Sequence, residues 1–402
     1  MNTEMSRIMD SPLFDNMKIG DVELKNRFLM SAATTSWNVT QENIPQDSDG
    51  YNQYEIAKGG VALIISGGLN VTVSGISTPQ SGLFADERSI PFMSAFARKI
   101  KAGGALACLQ ITHGGMWAAQ YAAKRGLVPF APSFVVDGEL GDYSISKRKE
   151  LPASEEQIQE VIAAYGNAAL RAKNCGFDAV EVHAAHESLL AQMLSPVSNV
   201  RKDRWGGSVE NRCRFHCEVF KNVRKKVGAD FPVIVKLGVQ DAIAGGLELK
   251  DGIAAVEIIA KAGDINAIEV SQGLSPGLLD FSNSSMRIGI TSIEKERYYR
   301  VWAKEVKNAV KSTGILVIMQ GGLRSFELME EVVQKKEADL VSMCRPYIRE
   351  PMLINRWISG DHKKATCISC NKCILKAITE GKRPECVLNK PNESIKDRRQ
   401  TG

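Results

Sequence analysis

The sequence has few aromatic residues, few histidines and no long hydrophobic run, and each shortage narrows what the protein can be. Only 6% of its 402 residues are aromatic, and only 5 residues are histidine. No stretch approaches the roughly 18 consecutive apolar residues of a membrane-spanning helix. The N-terminus, MNTEMSRIMDSP, shows neither an apolar run nor a cleavage signature. We therefore expect a cytoplasmic protein without a membrane segment.

A concentrated basic surface is also missing from the sequence. The net charge is +5, but the excess of Lys and Arg is spread along the chain, with only short clusters such as residues 147–149. A nucleic-acid-binding face normally gathers its basic residues into one stripe. The charge distribution therefore argues against a nucleic-acid partner and favours a small-molecule substrate.

Eight short apolar runs recur along the chain, and each is followed by a helix-like stretch. They cover residues 27–33, 61–67, 105–113, 178–183, 232–239, 267–272, 315–320 and 339–344. Apolar strands that alternate with helices indicate a parallel sheet buried on both faces. Eight such units predict a closed (β/α)8 TIM barrel. An open doubly wound sheet is the main alternative, and it is disfavoured because no run is followed by G-x-G-x-x-G.

Helix signals accompany the predicted strands. Ser154 and Gln157 form a capping-box pattern, which predicts a helix from there to about residue 174. Further helices are predicted over residues 209–226 and 292–312, whereas residues 1–24 are predicted to be irregular. We assign residues 1–360 to the barrel.

Small and polar residues gather at the predicted strand ends. In a (β/α)8 barrel these ends meet on one face, where active sites are built. Each such residue alone is more often structural, but core packing gives no reason to place polar groups at several ends together. Small residues would admit a flat ring, and the loops after the last two strands commonly bind phosphate, so FMN is the predicted cofactor. The candidate residues are Ala32, Ala33, Thr34, Gly68, Gln110, His183, His186, Lys236, Gly321, Gly322, Cys344 and Arg345.

Nine cysteines are an odd number for a disulfide framework. Five are scattered through predicted strands and helices, where a structural role is expected. The other four, Cys367, Cys370, Cys373 and Cys386, are crowded into residues 361–402, which we assign to a C-terminal extension of the barrel. Three closely spaced cysteines and a distant fourth are typical of a [4Fe–4S] cluster. A four-thiolate zinc site is the alternative.

The stretch from His183 to Phe215 reads HAAHESLLAQMLSPVSNVRKDRWGGSVENRCRF. It resembles the signature of the Old Yellow Enzyme family, the FMN-dependent ene-reductases, and residues 24–27 and 339–346 match that family as well. The resemblance spans about residues 12 to 390. It implies a TIM barrel that binds FMN non-covalently at its C-terminal mouth.

The resemblance also implies roles for individual cofactor-binding residues. Thr34 would lie near the flavin O4 edge, and Gln110 would contact the pyrimidine ring. Lys236 would lie beside N1 and O2, where a cation stabilises the anionic reduced flavin. Gly322 and Arg345 would hold the phosphate.

By the same resemblance, His183 and His186 would hydrogen-bond a substrate oxygen and so polarise an activating carbonyl. The family places a tyrosine, often the proton donor, two residues after the second histidine, but this chain has Ser188 there. A serine hydroxyl is a much weaker acid, so water or another loop residue would have to supply the proton. The aromatic pocket residue after the first strand is also shifted, and we predict that Trp37 contacts the substrate.

The cysteine spacing is similar to that of the flavin and iron–sulfur modules of trimethylamine dehydrogenase and 2,4-dienoyl-CoA reductase. Those enzymes continue into nucleotide-binding domains whose fingerprint this sequence lacks. We predict that the chain reduces an activated C=C bond of an enone, enoate or enoyl thioester by hydride transfer from flavin N5, while the cluster relays electrons. An amine-type dehydrogenase and an electron-transfer subunit of a larger complex are the alternatives. The donor, NAD(P)H or a redox partner protein, and the oligomeric state stay open.

Overall fold

Eight parallel strands close into a ring, because each predicted apolar run pairs with its neighbours along the chain. The computed structural model describes residues 11–33, 37–46, 52–127, 130–133, 152–275, 286–380 and 384–389. Its strands are β1 (Met17–Ile19), β2 (Val22–Leu24), β3 (Phe28–Met30), β4 (Leu63–Ile65), β5 (Leu69–Asn70), β6 (Leu106–Thr112), β7 (Ala179–Ala184), β8 (Val233–Gly238), β9 (Ala267–Ser271), β10 (Leu316–Met319) and β11 (Leu340–Met343). The ring order is β3-β4-β6-β7-β8-β9-β10-β11, and β11 pairs with β3 to close it. The predicted barrel is confirmed.

Helices follow the barrel strands. They are α1 (Gln53–Lys58), α2 (Ile90–Ala102), α3 (Ala119–Lys124), α4 (Glu155–Asn174), α5 (Leu189–Leu194), α6 (Val209–Val227), α7 (Leu249–Ala262), α8 (Arg300–Val310), α9 (Phe326–Gln334), α10 (Arg345–Arg349), α11 (Leu353–Ile358) and α12 (Lys372–Glu380). Within the described ranges, no helix is both long and apolar enough to cross a membrane.

Two of the three predicted helices begin where the sequence placed them. The capping box before α4 is present: Ser154 Oγ accepts from Gln157 N at 3.3 Å, and Gln157 Oε1 accepts from Ser154 N at 2.9 Å. The prediction for residues 292–312 was wrong at its start, since a short 3₁₀ turn at Ile293–Lys295 precedes α8. The aromatic pair before α8, Tyr298 and Tyr299, packs on the loop after β10 instead of continuing a helix.

The start of the chain corrects another prediction. Within residues 1–24, β1 and β2 form an antiparallel hairpin that turns at Gly20, whose φ is +56°. Each strand is only three residues long, too short for a periodic pattern to be recognised. The inner side chains, Ile19 and Leu24, are buried with apolar residues of the barrel interior. The hairpin therefore closes one end of the barrel.

The barrel interior is built in layers, because alternate residues of each strand point inward. An apolar layer contains Leu29, Leu63, Cys108, Ala179, Ile234, Ala267, Ile318 and Leu340. Two residues further along seven of these strands, the side chains are polar: Ser31, Gln110, Glu181, Lys236, Glu269, Gln320 and Ser342. The candidate site therefore rests on a polar layer supported by an apolar one.

His113, which follows β6, supports a prediction about acid stability. The imidazole is fully buried, and its Nδ1 accepts the Gly115 N–H at 2.9 Å. Burial lowers the pKa of His113 from 6.5 to about 3. The unfolded chain therefore binds a proton below pH 6.5 that the folded chain excludes, so the stability that the neutral ring contributes is present above pH 6.5 and is lost as the pH falls toward 3. The expected loss is about 1.4 kcal/mol of unfolding free energy per pH unit.

The variant His113→Asn isolates this contribution, since the amide oxygen can accept the same N–H but does not titrate. Urea unfolding of both proteins at pH 6.5, 5.5 and 4.5 should show a shallower pH dependence for the variant. The same pH dependence in both proteins would contradict the assignment. The comparison uses the slope, so a constant loss of stability from the smaller side chain does not affect it.

Candidate active site

Lys236 lies at the centre of the polar layer, with a side chain 1% exposed. Its Nζ is 3.0 Å from Glu269 Oε2 and 3.8 Å from Glu181 Oε1, and it donates to Ser31 Oγ at 2.9 Å. Gln110 Nε2 donates to Glu181 Oε1 at 2.7 Å. Two predicted residues, Gln110 and Lys236, therefore both lie close to the carboxyl of Glu181, which is not among the predicted site residues.

Register explains why these side chains meet. Gln110 pairs with Glu181 across β6 and β7, and Lys236 pairs with Glu269 across β8 and β9. Both glutamates interrupt apolar strands, Ala-Val-Glu-Val and Ala-Ile-Glu-Val. Because alternation points them inward, a charged residue inside each strand was the signal that could have identified them.

The charges of the layer depend on one another. Burial raises the pKa of Glu181 well above its ordinary value, although Lys236 acts in the opposite direction. Burial also acts to raise the pKa of Glu269, but Lys236 and the hydrogen bonds to this carboxyl lower it overall. For Lys236, burial lowers the pKa, and the two carboxyls more than offset burial and raise it. Lys236 is therefore a cation whose counter-ion is Glu269.

His183 and His186 lie at the end of β7, and His183 pairs in register with Lys236 of β8. Their ring centroids are 5.2 Å apart at 68°, and both side chains are partly exposed. His183 Nδ1 has no hydrogen-bond partner among the described residues. Desolvation, each other's proximity and Lys236 lower the pKa of His183, and desolvation lowers that of His186 to about 3. Both rings are therefore neutral near pH 7 and can each offer an N–H.

A hydrogen-bond chain orients His186. Its Nε2 lies 2.6 Å from Ser271 Oγ, which also accepts from Gln320 Nε2 at 2.8 Å. The backbone is left-handed at His186 and Glu187, with φ of +49° and +59°. Non-glycine residues adopt this conformation at a cost, and such strain is concentrated at functional sites. The hydrogen bond to Ser271 and the left-handed backbone at the end of β7 therefore fix the position of the His186 ring.

The two residues that follow His186 are Glu187 and Ser188, and the side chains of both are engaged in hydrogen bonds within the protein. Ser188 Oγ turns back to donate to the carbonyl of His183 at 3.0 Å. The Glu187 carboxyl is buried and accepts from Ser275 Oγ, and burial raises its pKa to about 7. The Ser188 hydroxyl thus holds the strand end together.

Gly321 and Gly322 follow β10 with φ of +108° and +75°. A Cβ on Gly321 would lie 2.9 Å from Tyr299 Cδ2, and one on Gly322 would lie 2.9 Å from Tyr298 Cε1. The N–H groups of Gly322 and Leu323 have no acceptor among the described residues. Adjacent free N–H groups on a left-handed turn suit an anion.

Arg324 follows this turn, and burial and then the nearby charge of Arg345 lower the pKa of Arg324. Arg345, the first residue of α10, donates from Nη1 to the carbonyl of Arg287 at 2.9 Å and to Asn371 Oδ1. Arg324 is 2% exposed, and its Nε donates to the carbonyl of Cys367 at 2.9 Å. The cysteine segment is thus bonded to the turn at the end of β10.

The four clustered cysteines line one cavity. Its lining residues are Arg345, Ile348, Cys367, Ile368, Cys370, Asn371, Cys373, Cys386, Val387 and Leu388. In the part of the chain that the structure describes, no three or more Cys, His, Asp or Glu side chains are arranged to hold a single metal ion. The thiols therefore surround a space without converging on one point.

Cys344 lies between the barrel and this cavity. Burial raises the pKa of its thiol to about 12, and the thiols of Cys373 and Cys367 contribute. Burial likewise raises the pKa of Cys373 to about 11. Cys344, at the end of β11, is therefore close enough to the cysteine cavity for the thiols there to affect its pKa.

The remaining candidates are placed less centrally. Gly68 follows β4, where an added Cβ would lie 3.0 Å from Gln110 Oε1, so this glycine borders the polar layer. Ala32 and Ala33 follow β3, and Thr34 lies outside the described residues. Trp37 is 4% exposed, and its ring packs 5.5 Å from that of Phe96. The structure thus places Trp37 in the hydrophobic core.

Comparisons with known proteins agree with this geometry. Residues 12–363 match the family described as NADH:flavin oxidoreductase / NADH oxidase. A metal reductase of Desulforamulus reducens is 30% identical over 94% of this chain and 53% of its own length. An NADPH dehydrogenase of Listeria welshimeri is 31% identical over 85% of this chain and 92% of its own.

A solved structure extends the likeness to three dimensions. The complex of 2-naphthoyl-CoA reductase with 2-naphthoyl-CoA superposes with a TM-score of 0.78 at 26% identity. It covers 94% of this chain and 57% of that protein. The chain thus spans about half the length of this reductase and of the metal reductase, but nearly all of the NADPH dehydrogenase.

Proposed function

The chain belongs to the NADH:flavin oxidoreductase / NADH oxidase family, which includes the Old Yellow Enzymes, and from this premise we propose that it reduces an activated C=C bond with bound FMN. The observation that carries the proposal is the pair of neutral imidazoles, His183 and His186, next to a buried cation at the barrel mouth. Two N–H donors at that position suit the carbonyl oxygen of an enone, enoate or enoyl thioester. The 2-naphthoyl-CoA reductase supports a thioester as one candidate.

The residues present fit FMN at both of its ends. Gln110 and Lys236 offer an amide and a cation to a heteroaromatic edge, and the cation is already fixed by Glu269 at 3.0 Å. The free N–H groups of Gly322 and Leu323, with Arg345 beside the same turn, suit the phosphate. When bound, FMN supplies the hydride that is added to the β-carbon of the alkene.

The chain's own residues have distinct tasks in this proposal. His183 and His186 bind the activating oxygen and orient the alkene, and Ser271 fixes the ring of His186. Both imidazoles are neutral, so they polarise the carbonyl by hydrogen bonding without adding a positive charge. Lys236 would offer a buried positive charge to the bound ring. With the family's tyrosine absent, we assign the proton at the α-carbon to water that enters the mouth.

We further propose that Cys367, Cys370, Cys373 and Cys386 hold a [4Fe–4S] cluster that relays electrons. Zinc bonded to four thiolates at about 2.3 Å requires the sulfurs to converge around one point. The described thiols line one cavity and are not arranged for a single ion. A [4Fe–4S] cluster is bound by four cysteines on different iron atoms, so their thiols need not converge on one point, and this arrangement supports the cluster over zinc.

Anaerobic half-reactions test this function. The purified full chain would be reduced with NADH, NADPH or dithionite, and reoxidation would be followed with an enone, an enoate, an enoyl thioester and no acceptor. We expect at least one activated alkene to reoxidise the flavin and to yield the saturated product. A flavin that a tertiary amine reduces and no alkene reoxidises would overturn the proposal in favour of an amine dehydrogenase.

Arg324 gives a further prediction about the proposed cluster. Its Nη2 lies 3.9 Å from Cys367 Sγ, and its Nε donates to the carbonyl of the same residue. Buried positive charge and hydrogen bonds to the ligating sulfur both stabilise the added electron. The variant Arg324→Gln should therefore shift the one-electron equilibrium at least tenfold toward the oxidised cluster, equivalent to a potential about 59 mV more negative.

An anaerobic redox titration followed by electron paramagnetic resonance measures this shift. Arg349→Gln is the matched control, since Arg349 donates to Asn389 near the cavity and bonds no sulfur. Equal potentials in the wild type and the Arg324 variant would contradict the prediction. A shift of equal size in the Arg349 variant would attribute the effect to net charge instead of the hydrogen bonds.

A further inference from the structure

Two carboxyls and a single ammonium are enclosed in the polar layer of the barrel. The side chains of Glu181 and Glu269 are 0% exposed, and that of Lys236 is 1% exposed. If all three groups were ionised, the layer would carry one uncompensated negative charge. Burying an unpaired charge is strongly unfavourable, and buried groups change their protonation to avoid it. The composition of the layer therefore requires one proton in addition to that of Lys236.

Hydrogen bonding locates that proton. Gln110 donates to Oε1 of Glu181, and Ser342 donates to Oε1 of Glu269. Lys236 Nζ lies 3.0 Å from Oε2 of Glu269 but 3.8 Å from Oε1 of Glu181, and Oε2 of Glu181 is buried without a hydrogen-bond donor among the described residues. The ammonium therefore compensates the charge of Glu269 first, and the pair shares one proton that lies mainly on Glu181.

The electrostatics agree with one proton for the pair. The pKa of Glu181 is raised and that of Glu269 is lowered, as expected when two carboxyls compete for one proton beside a cation. Such groups titrate as a pair and not as separate residues. The other titratable groups that face the layer are neutral near pH 7. They are His183, His186, Cys108 and Cys344.

We propose that Glu181 and Glu269 form a proton-holding site next to the residues that would bind FMN. At rest the pair keeps one shared proton, and two-electron reduction of the bound flavin would be accompanied by uptake of a second proton from solvent. The inference rests on the proposed FMN site. The balance is simple: the donor loses two electrons, the ring gains them with one proton, and the carboxyl pair binds the other proton.

The physical reason for the second proton is that Lys236 is the counter-ion of the carboxyl pair and is also the cation that the proposed site would offer to the flavin ring. In the resting state the ammonium compensates the single negative charge of the pair. Negative charge on the reduced flavin would compete for the same ammonium, so uptake of a proton by the buried pair would restore neutrality.

The resting proton can be tested on the protein without FMN, by infrared spectroscopy at pH 9. The wild type should show the carbonyl band of a protonated carboxylic acid, shifted in D2O. The variants Glu181→Gln and Glu269→Gln should each lose it, because the remaining carboxylate then pairs with Lys236 alone. Glu187→Gln is the control and should keep the band, since Glu187, with a pKa of about 7, is ionised at pH 9. A wild type without the band, or a band that survives in Glu269→Gln, would overturn the shared proton.

The second proton can be counted from the pH dependence of the FMN midpoint potential between pH 8 and 9.5. Each proton taken up per two electrons contributes about 30 mV per pH unit. The wild type should show a slope of about 59 mV per unit, and Glu181→Gln a slope of about 30 mV per unit. A wild-type slope of about 30 mV would refute the uptake, and this measurement needs no variant. A chain that binds no FMN would instead refute the proposed cofactor site, and the infrared test would still decide on the proton.

Discussion

Replacing Cys370 with serine is expected to abolish iron binding while the barrel stays folded and FMN stays bound. Cys370 lines the cavity with the other three clustered cysteines and is only partly buried, so the substitution changes little else. A [4Fe–4S] cluster needs a thiolate on each iron atom that the protein ligates, and serine binds iron poorly by comparison. Iron content should fall from about four atoms per chain to near zero, with loss of the broad visible absorbance of the cluster.

The matched control is Cys217→Ser, because Cys217 is also partly buried but lies on α6, away from the cavity. This variant should keep its full iron content. Near-ultraviolet circular dichroism and FMN content should be the same in both variants. One zinc atom per chain in place of iron, in the wild type, would contradict the assignment and would favour the four-thiolate zinc site.

Loss of the cluster should separate two electron routes. If electrons reach FMN through the cluster, Cys370→Ser should lose activity with a one-electron donor and keep hydride transfer from NADH or NADPH. If both routes survive, the cluster has no part in turnover and the relay proposal fails. Stopped-flow reduction with dithionite, ferredoxin and NADPH distinguishes these results.

The barrel could be predicted because a parallel strand is buried on both faces and therefore appears in the sequence as a continuous apolar run. Runs such as 232–239 and 315–320 each contain the observed strand, β8 or β10. The hairpin of β1 and β2 gave no such signal, because each strand has only three residues and pairs locally. The start of α8 was missed since its apolar spacing continues upstream through Tyr298 and Tyr299, which pack on a glycine turn.

The candidate site was only partly predictable, for a different physical reason. Gln110, His183 and Lys236 could be predicted from their places at strand ends, because a barrel brings these ends together regardless of the conformation of the loops. Glu181 and Glu269 were not proposed, since a charged residue in a strand is normally assigned to solvent. Only the register, which pairs Lys236 with Glu269, explains their burial. The register between strands that are distant in sequence depends on the whole sheet, so it cannot be predicted from a local sequence pattern.

His183→Ala is expected to lower kcat/KM for alkene reduction by about 10²–10³, the usual loss when one preorganised donor to a developing oxyanion is removed. The reason is geometric: His183 Nδ1 has no partner among the described residues, whereas His186 Nε2 is engaged with Ser271. His183 thus has a ring nitrogen to offer to the substrate oxygen. His183→Asn, which keeps an N–H donor, should recover part of the loss.

Two measurements separate a binding role in catalysis from a merely structural one. The rate of flavin reduction by dithionite should be unchanged in His183→Ala, because that step does not involve the alkene. Substrate turnover in the wild type should show no ionisation of an imidazole between pH 5 and 8, since the pKa of His183 is lowered well below its ordinary value and that of His186 to about 3. A turnover profile that rises or falls near pH 6.5 and becomes flat in His183→Ala would mean that the ring acts as a proton donor or acceptor. In that case His183, and not water, would take the place of the missing tyrosine.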